Sequence, residues 1–122
     1  MRSSDTRMIK IANYNTELNP IINMDFDAFA IYHSKGLLAH LHKRKHFVAA
    51  KYINNLQDII LHPDYAGYYN GTIELIKCYA DNIFISIKLD AKRNQYYIAT
   101  MFEVRRSKID SYVRSGRLNK VP

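Results

Sequence analysis

An alternation of apolar and polar residues is the feature that most constrains the fold of this chain. Ile83, Ile85, Ile87 and Leu89 are each separated by one residue, and two of the separating residues are Ser86 and Lys88. Successive side chains of a β-strand point to opposite faces, so this spacing predicts a strand over residues 83–89 with one buried face.

Two flanking segments supply partners for this strand. Residues 72–80 are a strand candidate, and residues 96–104 are aromatic and β-branched, which favours a strand. The polar residues 91–95 between the second and third strands predict a hairpin loop. Together these segments predict a three-stranded antiparallel meander.

Two helices are predicted before the meander. Ser34 is the expected N-cap of a first helix that starts at Lys35, with an apolar stripe at Leu37, Leu38 and Leu41.

The second, longer helix is predicted from residue 47 to residue 61, where Pro63 stops it. Its apolar residues recur at helical intervals: Ala49, Ile53, Leu56 and Ile60. The cations of residues 43–45 interrupt this apolarity, so a bend near residues 44–46 is expected to separate the two helices.

The remaining segments are short. Residues 8–11 predict a first strand, residues 13–20 a loop, and residues 26–31 a strand buried on both faces. Residues 62–67 predict a turn or loop, which places Tyr65, Tyr68 and Tyr69 outside regular structure.

A last helix is predicted over residues 108–115. Ser107 followed by Asp110 resembles a capping box, and Gly116 is a natural C-terminal stop. The fold class is therefore α+β, with N-terminal strands and two helices followed by a small antiparallel β-meander and a short C-terminal helix.

Composition limits the function. The 122 residues fit one domain, and the net charge of +7 favours a polyanionic partner such as RNA, DNA or an anionic membrane surface. Cys78 is the single cysteine and cannot form an internal disulfide, which is typical of a reducing compartment. No stretch is apolar enough to span a membrane, and residues 1–5 lack an apolar signal core. We expect an intracellular domain, although a toxin module cut from a longer secreted protein would have the same composition.

Three histidines and three fixed cations lie together in residues 40–46. Histidine exchanges protons near neutral pH, and a metal-independent ribonuclease needs one group to deprotonate a 2′-hydroxyl and another to protonate the leaving 5′-oxygen. The cations Lys43, Arg44 and Lys45 would stabilise the charge that builds on the phosphate. His40 and His46 point apart on one straight helix, so their cooperation requires the bend. The alternative is a solvated basic helix end with surface histidines.

His42 and His46 also have the i, i+4 spacing of a metal-binding pair. The sequence offers no neighbouring glutamate as a third ligand, and the flanking cations repel a dication. We therefore predict no metal and no other cofactor.

Basic residues are also dense near the C-terminus, with Asp110 as the only opposing charge among them: Arg105, Arg106, Lys108, Arg114, Arg117 and Lys120. Arginine makes planar bidentate contacts with phosphate, so this cluster favours binding to a nucleic-acid backbone over a merely solubilising tail. Tyr69, in the segment Tyr68-Tyr69-Asn70-Gly71, is a candidate for stacking on unpaired bases. Thr100 is a polar residue in an apolar strand. Its hydroxyl either contacts a phosphate or has no functional role, since threonine is itself a common strand residue.

The order of several short motifs resembles the phage branch of the barnase–EndoU–colicin–RelE-like nuclease superfold. The first half of the resemblance runs through Gly36-Leu37-Leu38, His40-Leu41, Lys43-Arg44-Lys45-His46, Ile59-Ile60 and Pro63-Asp64-Tyr65. The second half runs through Ile87-Lys88-Leu89-Asp90, Tyr97-Ile98-Ala99-Thr100, Ser107-Lys108-Ile109 and Ser115-Gly116-Arg117-Leu118. It covers residues 31–120 as a nuclease-like core of a single 1–122 domain, and the first thirty residues carry little of it.

The resemblance implies a metal-independent endoribonuclease of toxin or phage-effector type that cleaves tRNA or other RNA to a 2′,3′-cyclic phosphate in the cytoplasm. His40 and His46 match the family's helix histidines, Thr100 its strand threonine, and Lys108 its terminal Ser-Lys-Ile motif. These four are the predicted catalytic residues: the histidines transfer protons, Thr100 positions the phosphate, and Lys108 helps to stabilise the phosphorane. The substrate-binding residues expected beside them are Lys43, Arg44, Lys45, Tyr69, Arg106 and Arg117.

Two alternatives stay open at this stage. A non-catalytic RNA- or DNA-binding module has the same charge and tyrosines, and an acidic immunity protein is an expected partner of a basic nuclease. The oligomeric state is open as well.

Overall fold

The computed structural model describes residues 7–122, so the N-terminal segment 1–5 lies outside the described residues. Within these described residues, seven strands form one sheet: β1 (Met8–Asn13), β2 (Ala30–Ser34), β3 (Tyr65–Tyr69), β4 (Thr72–Cys78), β5 (Asn82–Asp90), β6 (Gln95–Glu103) and β7 (Asn119–Lys120). The same part of the chain contains five α-helices: α1 (Asn19–Ile22), α2 (Leu37–Lys43), α3 (Phe47–Ala50), α4 (Leu56–Leu61) and α5 (Arg106–Arg114). The predicted α+β class is confirmed.

The strand order in the sheet is β1-β2-β6-β5-β4-β3-β7. Only β2 and β6 are parallel, and they pair over two residues of each strand, Ile31 with Tyr96 and Tyr32 with Tyr97. The three predicted meander strands are confirmed as β4, β5 and β6. The remainder of β6, residues 98–103, extends past β2 and lies beside α2 and α3.

Each face of the sheet carries an apolar cluster. The larger cluster includes Leu75, Ile85 and Met101 from the meander and buries the inner sides of α3 and α4. The smaller cluster on the opposite face packs Ile76 and Phe84 under α5. Helix α5 has only nine residues, so it covers one end of this face of the sheet. The neighbouring positions on the same face carry polar side chains.

The first thirty residues differ from the predictions in two places. Strand β1 is confirmed, but the predicted loop 13–20 contains a 3₁₀ turn and the start of α1. The predicted strand 26–31 was wrong for its first half, because β2 begins only at Ala30. The side chain of Asn19 holds the backbone of Phe26 instead, accepting from its N–H at 3.1 Å and donating to its C=O at 2.9 Å.

The helix predictions were correct for the bend and wrong at several boundaries. Ser34 is the last residue of β2 and does not cap a helix, since α2 begins at Leu37 after the N-cap Gly36. The single long helix 47–61 is three pieces: α3, a 3₁₀ turn at Ile53–Asn55, and α4. Asn54 and Asn55 are weak helix formers and lie at the break.

Strand β3 replaces the loop predicted over residues 62–67 and places Tyr65, Tyr68 and Tyr69 in the sheet. Gly67 suggested a turn, but its role is a close approach of two backbones. A Cβ at this position would lie 2.0 Å from the carbonyl oxygen of Arg117.

Helix α5 begins two residues earlier than predicted. Its N-cap is Arg105, with no side-chain cap, so Ser107 lies inside the first turn and the predicted capping box is wrong. Gly116 follows with φ +83°, as expected of a C-terminal stop. Within residues 7–122, no helix is long and apolar enough to cross a membrane.

Candidate nuclease site

A row of polar side chains crosses the α5 face of the meander. The strand register places Glu74 opposite Ser86 and Ser86 opposite Thr100, so the three side chains share one face. Ser86 is buried and its Oγ lies 2.7 Å from Oγ1 of Thr100, which is exposed. The row therefore presents one hydroxyl to solvent and supports it with a second, buried hydroxyl.

The break between α2 and α3 brings His40 and His46 to the same place. The N–H of Arg44 donates to the carbonyl of His40, and Lys45 takes a left-handed conformation with φ +62°. The chain then reverses so that the N–H of His46 donates to the carbonyl of Leu41 at 2.8 Å. His40 thus lies in the last turn of α2, and His46 precedes α3.

Both histidines line one hollow of about 380 Å³ beside β6. Arg44 and Thr100 line the same hollow, and the ring of His46 lies 6.2 Å from the ring of Phe102. Four of the predicted site residues therefore converge, and the bend that their cooperation requires is confirmed. Two imidazoles, a guanidinium and a hydroxyl around one cavity can move protons and hold an anion.

The other residues of the basic stretch have different surroundings. His42 packs edge-on against Phe47, with 5.8 Å between ring centroids. Lys45 lines a neighbouring hollow with His46 and Phe102, and Lys43 is exposed at the end of α2. Across residues 7–122, no three His, Cys, Asp or Glu side chains gather in a metal-binding cluster, so the pair His42 and His46 has no third ligand there.

Arg117 lies at the far end of the polar row. Its Nε and Nη2 donate to the two carboxylate oxygens of the buried Glu74 at 2.8 and 2.6 Å. Its guanidinium carbon lies 3.9 Å from the ring centre of Tyr69 and 4.0 Å from that of Tyr112. The hydrogen bonds to Glu74 raise the pKa of Arg117, so this side chain stays charged and fixed in position.

Lys108 and Arg106 lie on α5, away from the histidine hollow. The Lys108 ammonium is 5.3 Å from the ring centre of Tyr112. Arg106 donates to the hydroxyl of Tyr65 at 3.0 Å and lies 3.8 Å from Asp110. The structure thus separates these two residues from the four that converge.

Sequence reasoning missed Glu74, Ser86 and Tyr112. Glu74 and Ser86 each stand alone among isoleucine and leucine neighbours in a predicted strand, a pattern that marks a polar side chain on a half-buried face. The strand register, which was not predicted, is what joins them to Thr100. Tyr112 gave no signal, because a tyrosine in a terminal helix is ordinarily a packing residue.

A comparison with known families identifies the chain. The profile of the family described as phage-Barnase-EndoU-ColicinE5/D-RelE like nuclease3 matches residues 9–111, which is most of the sequence. No curated protein and no solved structure matches significantly. The family match agrees with the resemblance seen in the motifs and includes both histidines and Thr100. The chain therefore belongs to the phage-Barnase-EndoU-ColicinE5/D-RelE like nuclease3 family, a group of nucleases whose substrates are nucleic acids.

Proposed function

We propose that this nuclease is a metal-independent endoribonuclease that acts on tRNA or other cellular RNA in the cytoplasm. The observation that carries the proposal is the convergence of His40, His46, Arg44 and Thr100 on one hollow. Two imidazoles suit proton transfer in both directions near neutral pH, and the cation and hydroxyl suit a phosphate between them.

In the proposed reaction, one histidine removes the proton of a ribose 2′-hydroxyl, and that oxygen forms a bond to the adjacent phosphorus. The bond between phosphorus and the 5′-oxygen breaks, and the other histidine gives that oxygen a proton. The products are a 2′,3′-cyclic phosphate and a free 5′-hydroxyl. Both histidines line the same hollow, so either one fits either role.

Arg44 and Thr100 hold the phosphate in this scheme. Arg44 donates charged hydrogen bonds where negative charge builds on the phosphorus oxygens. The hydroxyls of Ser86 and Thr100 share a hydrogen bond of 2.7 Å, and we assign the donor role to Ser86, so that Thr100 keeps its own proton for the phosphate. Lys108, which the resemblance matches to a functional motif, lies near Tyr112, so we assign its charge to the RNA strand beyond the reacting phosphate.

Purified protein incubated with total tRNA and ribosomal RNA in excess EDTA is expected to give discrete cuts. Mapping of the fragment ends should show cyclic phosphate on one side and 5′-hydroxyl on the other. Cleavage that appears only after a divalent ion is added would contradict metal independence. Tight, salt-sensitive binding with no cleavage would instead identify a non-catalytic RNA-binding module.

The hydroxyl of Thr100 can be tested by removing it without changing the shape of the side chain. In Thr100→Val, loss of one hydrogen bond to a charged phosphate should lower kcat/KM by about 10- to 100-fold. Thr100→Ser keeps a hydroxyl and should retain most of the activity. Equal activity of the valine and wild-type proteins on the same RNA would remove Thr100 from the mechanism.

An inhibitor of this nuclease should be acidic. Arg44 lines the histidine hollow, Arg117 lies at the far end of the polar row, and the whole chain has a net charge of +7. Complementary charge accelerates and orients association, so an acidic immunity protein is the partner we propose for the free enzyme.

A further inference from the structure

The histidine hollow is one end of a longer groove. It shares Thr100 and Phe102 with a second hollow over the polar row, and that hollow shares Tyr69 and Arg117 with a third at the C-terminal end of α5. Adjacent strands lie about 4.8 Å apart, so the path from Thr100 on β6 to β3 under Arg117 crosses about 14 Å. Such a groove is longer than one nucleotide.

Arg117 lies at the far end of this groove and has N–H donors that its ion pair with Glu74 does not use. A guanidinium has five N–H donors, and two of those on Arg117 are used by Glu74 through Nε and Nη2. The remaining donors lie on Nη1 and Nη2 and form a second planar fork. The rings of Tyr69 and Tyr112 lie 3.9 and 4.0 Å from the guanidinium carbon and, with the two hydrogen bonds to Glu74, restrict the side chain to this position.

The third hollow adds surfaces for bases. It is lined by Tyr68, Tyr69 and Tyr112 together with Arg117, and Tyr69 is about half exposed. Aromatic rings beside a backbone-binding cation are how proteins hold unpaired strands without reading their sequence, because every base has a face that stacks. Paired bases are stacked on each other and cannot reach such rings.

We infer that Arg117, Tyr69 and Tyr112 form a second nucleotide-binding subsite, and that the substrate is an unpaired RNA strand spanning the groove from this subsite to the histidines. The inference rests on the proposed function, since it assumes that RNA is cut at the histidine hollow. It adds two requirements to that activity: the substrate must be long enough to reach the second subsite, and it must be unpaired.

DNA oligonucleotides that contain one ribonucleotide test the inference, because only the bond after the ribose has a 2′-hydroxyl to attack it. Two series start from the dinucleotide and grow by one to three nucleotides, one series on the 5′ side and the other on the 3′ side. We expect kcat/KM to rise about 10-fold or more along one series, which is the gain expected from stacking one or two bases on aromatic rings. Along the other series we expect kcat/KM to rise by less than about 3-fold, because that extension meets no such rings. Annealing a complement to the extension should abolish the gain.

Variants of Tyr69 test whether the increase in kcat/KM with substrate length comes from the second subsite. Tyr69→Ala should reduce the ratio of kcat/KM between the extended and the shortest substrate to near one, and Tyr69→Phe, which keeps the ring, should preserve that ratio. Val113→Ala, at an exposed position on α5, is the matched control and should also preserve it.

The outcomes separate the two proposals. If neither these oligonucleotides nor RNA is cut, the proposed function fails. If they are cut but neither series gains with length, or if the gain survives Tyr69→Ala or annealing, the second subsite is refuted while the nuclease activity stands.

Discussion

His40→Ala and His46→Ala are each expected to lower the kcat/KM for RNA cleavage by about 10³-fold, the usual contribution of a positioned general acid or base. Both side chains line the hollow that contains Arg44 and Thr100, and neither can replace the proton transfer of the other. RNA binding should change little, since the cations of the groove are retained. Cleavage rates and filter-binding affinities measured on the same RNA check both statements.

His42→Ala is the matched control for these variants. It removes a histidine from the same helix, but one that packs against Phe47 and does not line the hollow. Its kcat/KM should stay within about 3-fold of wild type, since no proton transfer is assigned to it. Activity lost equally in all three variants would mean that helix α2, and not its proton-transfer groups, was disturbed.

Arg117→Met should lower the free energy of unfolding by about 3 kcal/mol, because it leaves the carboxylate of Glu74 buried without its partner. Only 4% of the Glu74 side chain is exposed, so water cannot replace the two lost hydrogen bonds. Urea denaturation at neutral pH gives this quantity independently of any activity.

The double variant Glu74→Gln with Arg117→Met tests the cause of that loss. Removing the charge from Glu74 as well should recover a substantial part of the stability, as expected when an isolated buried charge is the main cost. A double variant as unstable as Arg117→Met alone would show instead that the contacts of Arg117 with Tyr69 and Tyr112 dominate.

The meander was predictable because its evidence is local. Alternation at Ile83, Ile85 and Ile87 reports a half-buried strand whatever the rest of the chain does. The segment around Gly67 failed for the opposite reason. Its glycine is required by the backbone of Arg117, fifty residues later in the sequence, and no local pattern reveals that approach.

The helices show the same limit. Apolar spacing predicted one helix over residues 47–61, but Tyr52 donates its hydroxyl to Asp81 at 2.9 Å and its ring stacks on Tyr79. These tertiary contacts, together with the weak helix formers Asn54 and Asn55, favour a break in the helix. The spacing of the apolar residues alone does not predict that break. The bend at residues 44–46 was predictable because a run of cations interrupts the apolar stripe.

The site was predictable in its chemistry and not in its extent. Clustered histidines and cations made His40, His46 and Arg44 candidates, and the family resemblance added Thr100. The structure brings these four residues to one hollow. Placing the buried residues Glu74 and Ser86 beside Thr100 requires knowledge of the strand register. A shift of one residue in that register would move a strand's side chains to the opposite face of the sheet. The catalytic and binding roles of all the predicted site residues stay predictions, those of Lys43, Lys45, Lys108 and Arg106 included.

The groove draws its parts from distant points of the chain, which sets the order in which these parts become available during synthesis. His40 and His46 leave the ribosome early, long before the hydroxyl of Thr100 on β6. Arg117, whose carbonyl oxygen lies close to Gly67, emerges later still. A nascent chain therefore carries both histidines before the sheet that places Thr100 beside them, and the four residues of the hollow can meet only once β6 has emerged.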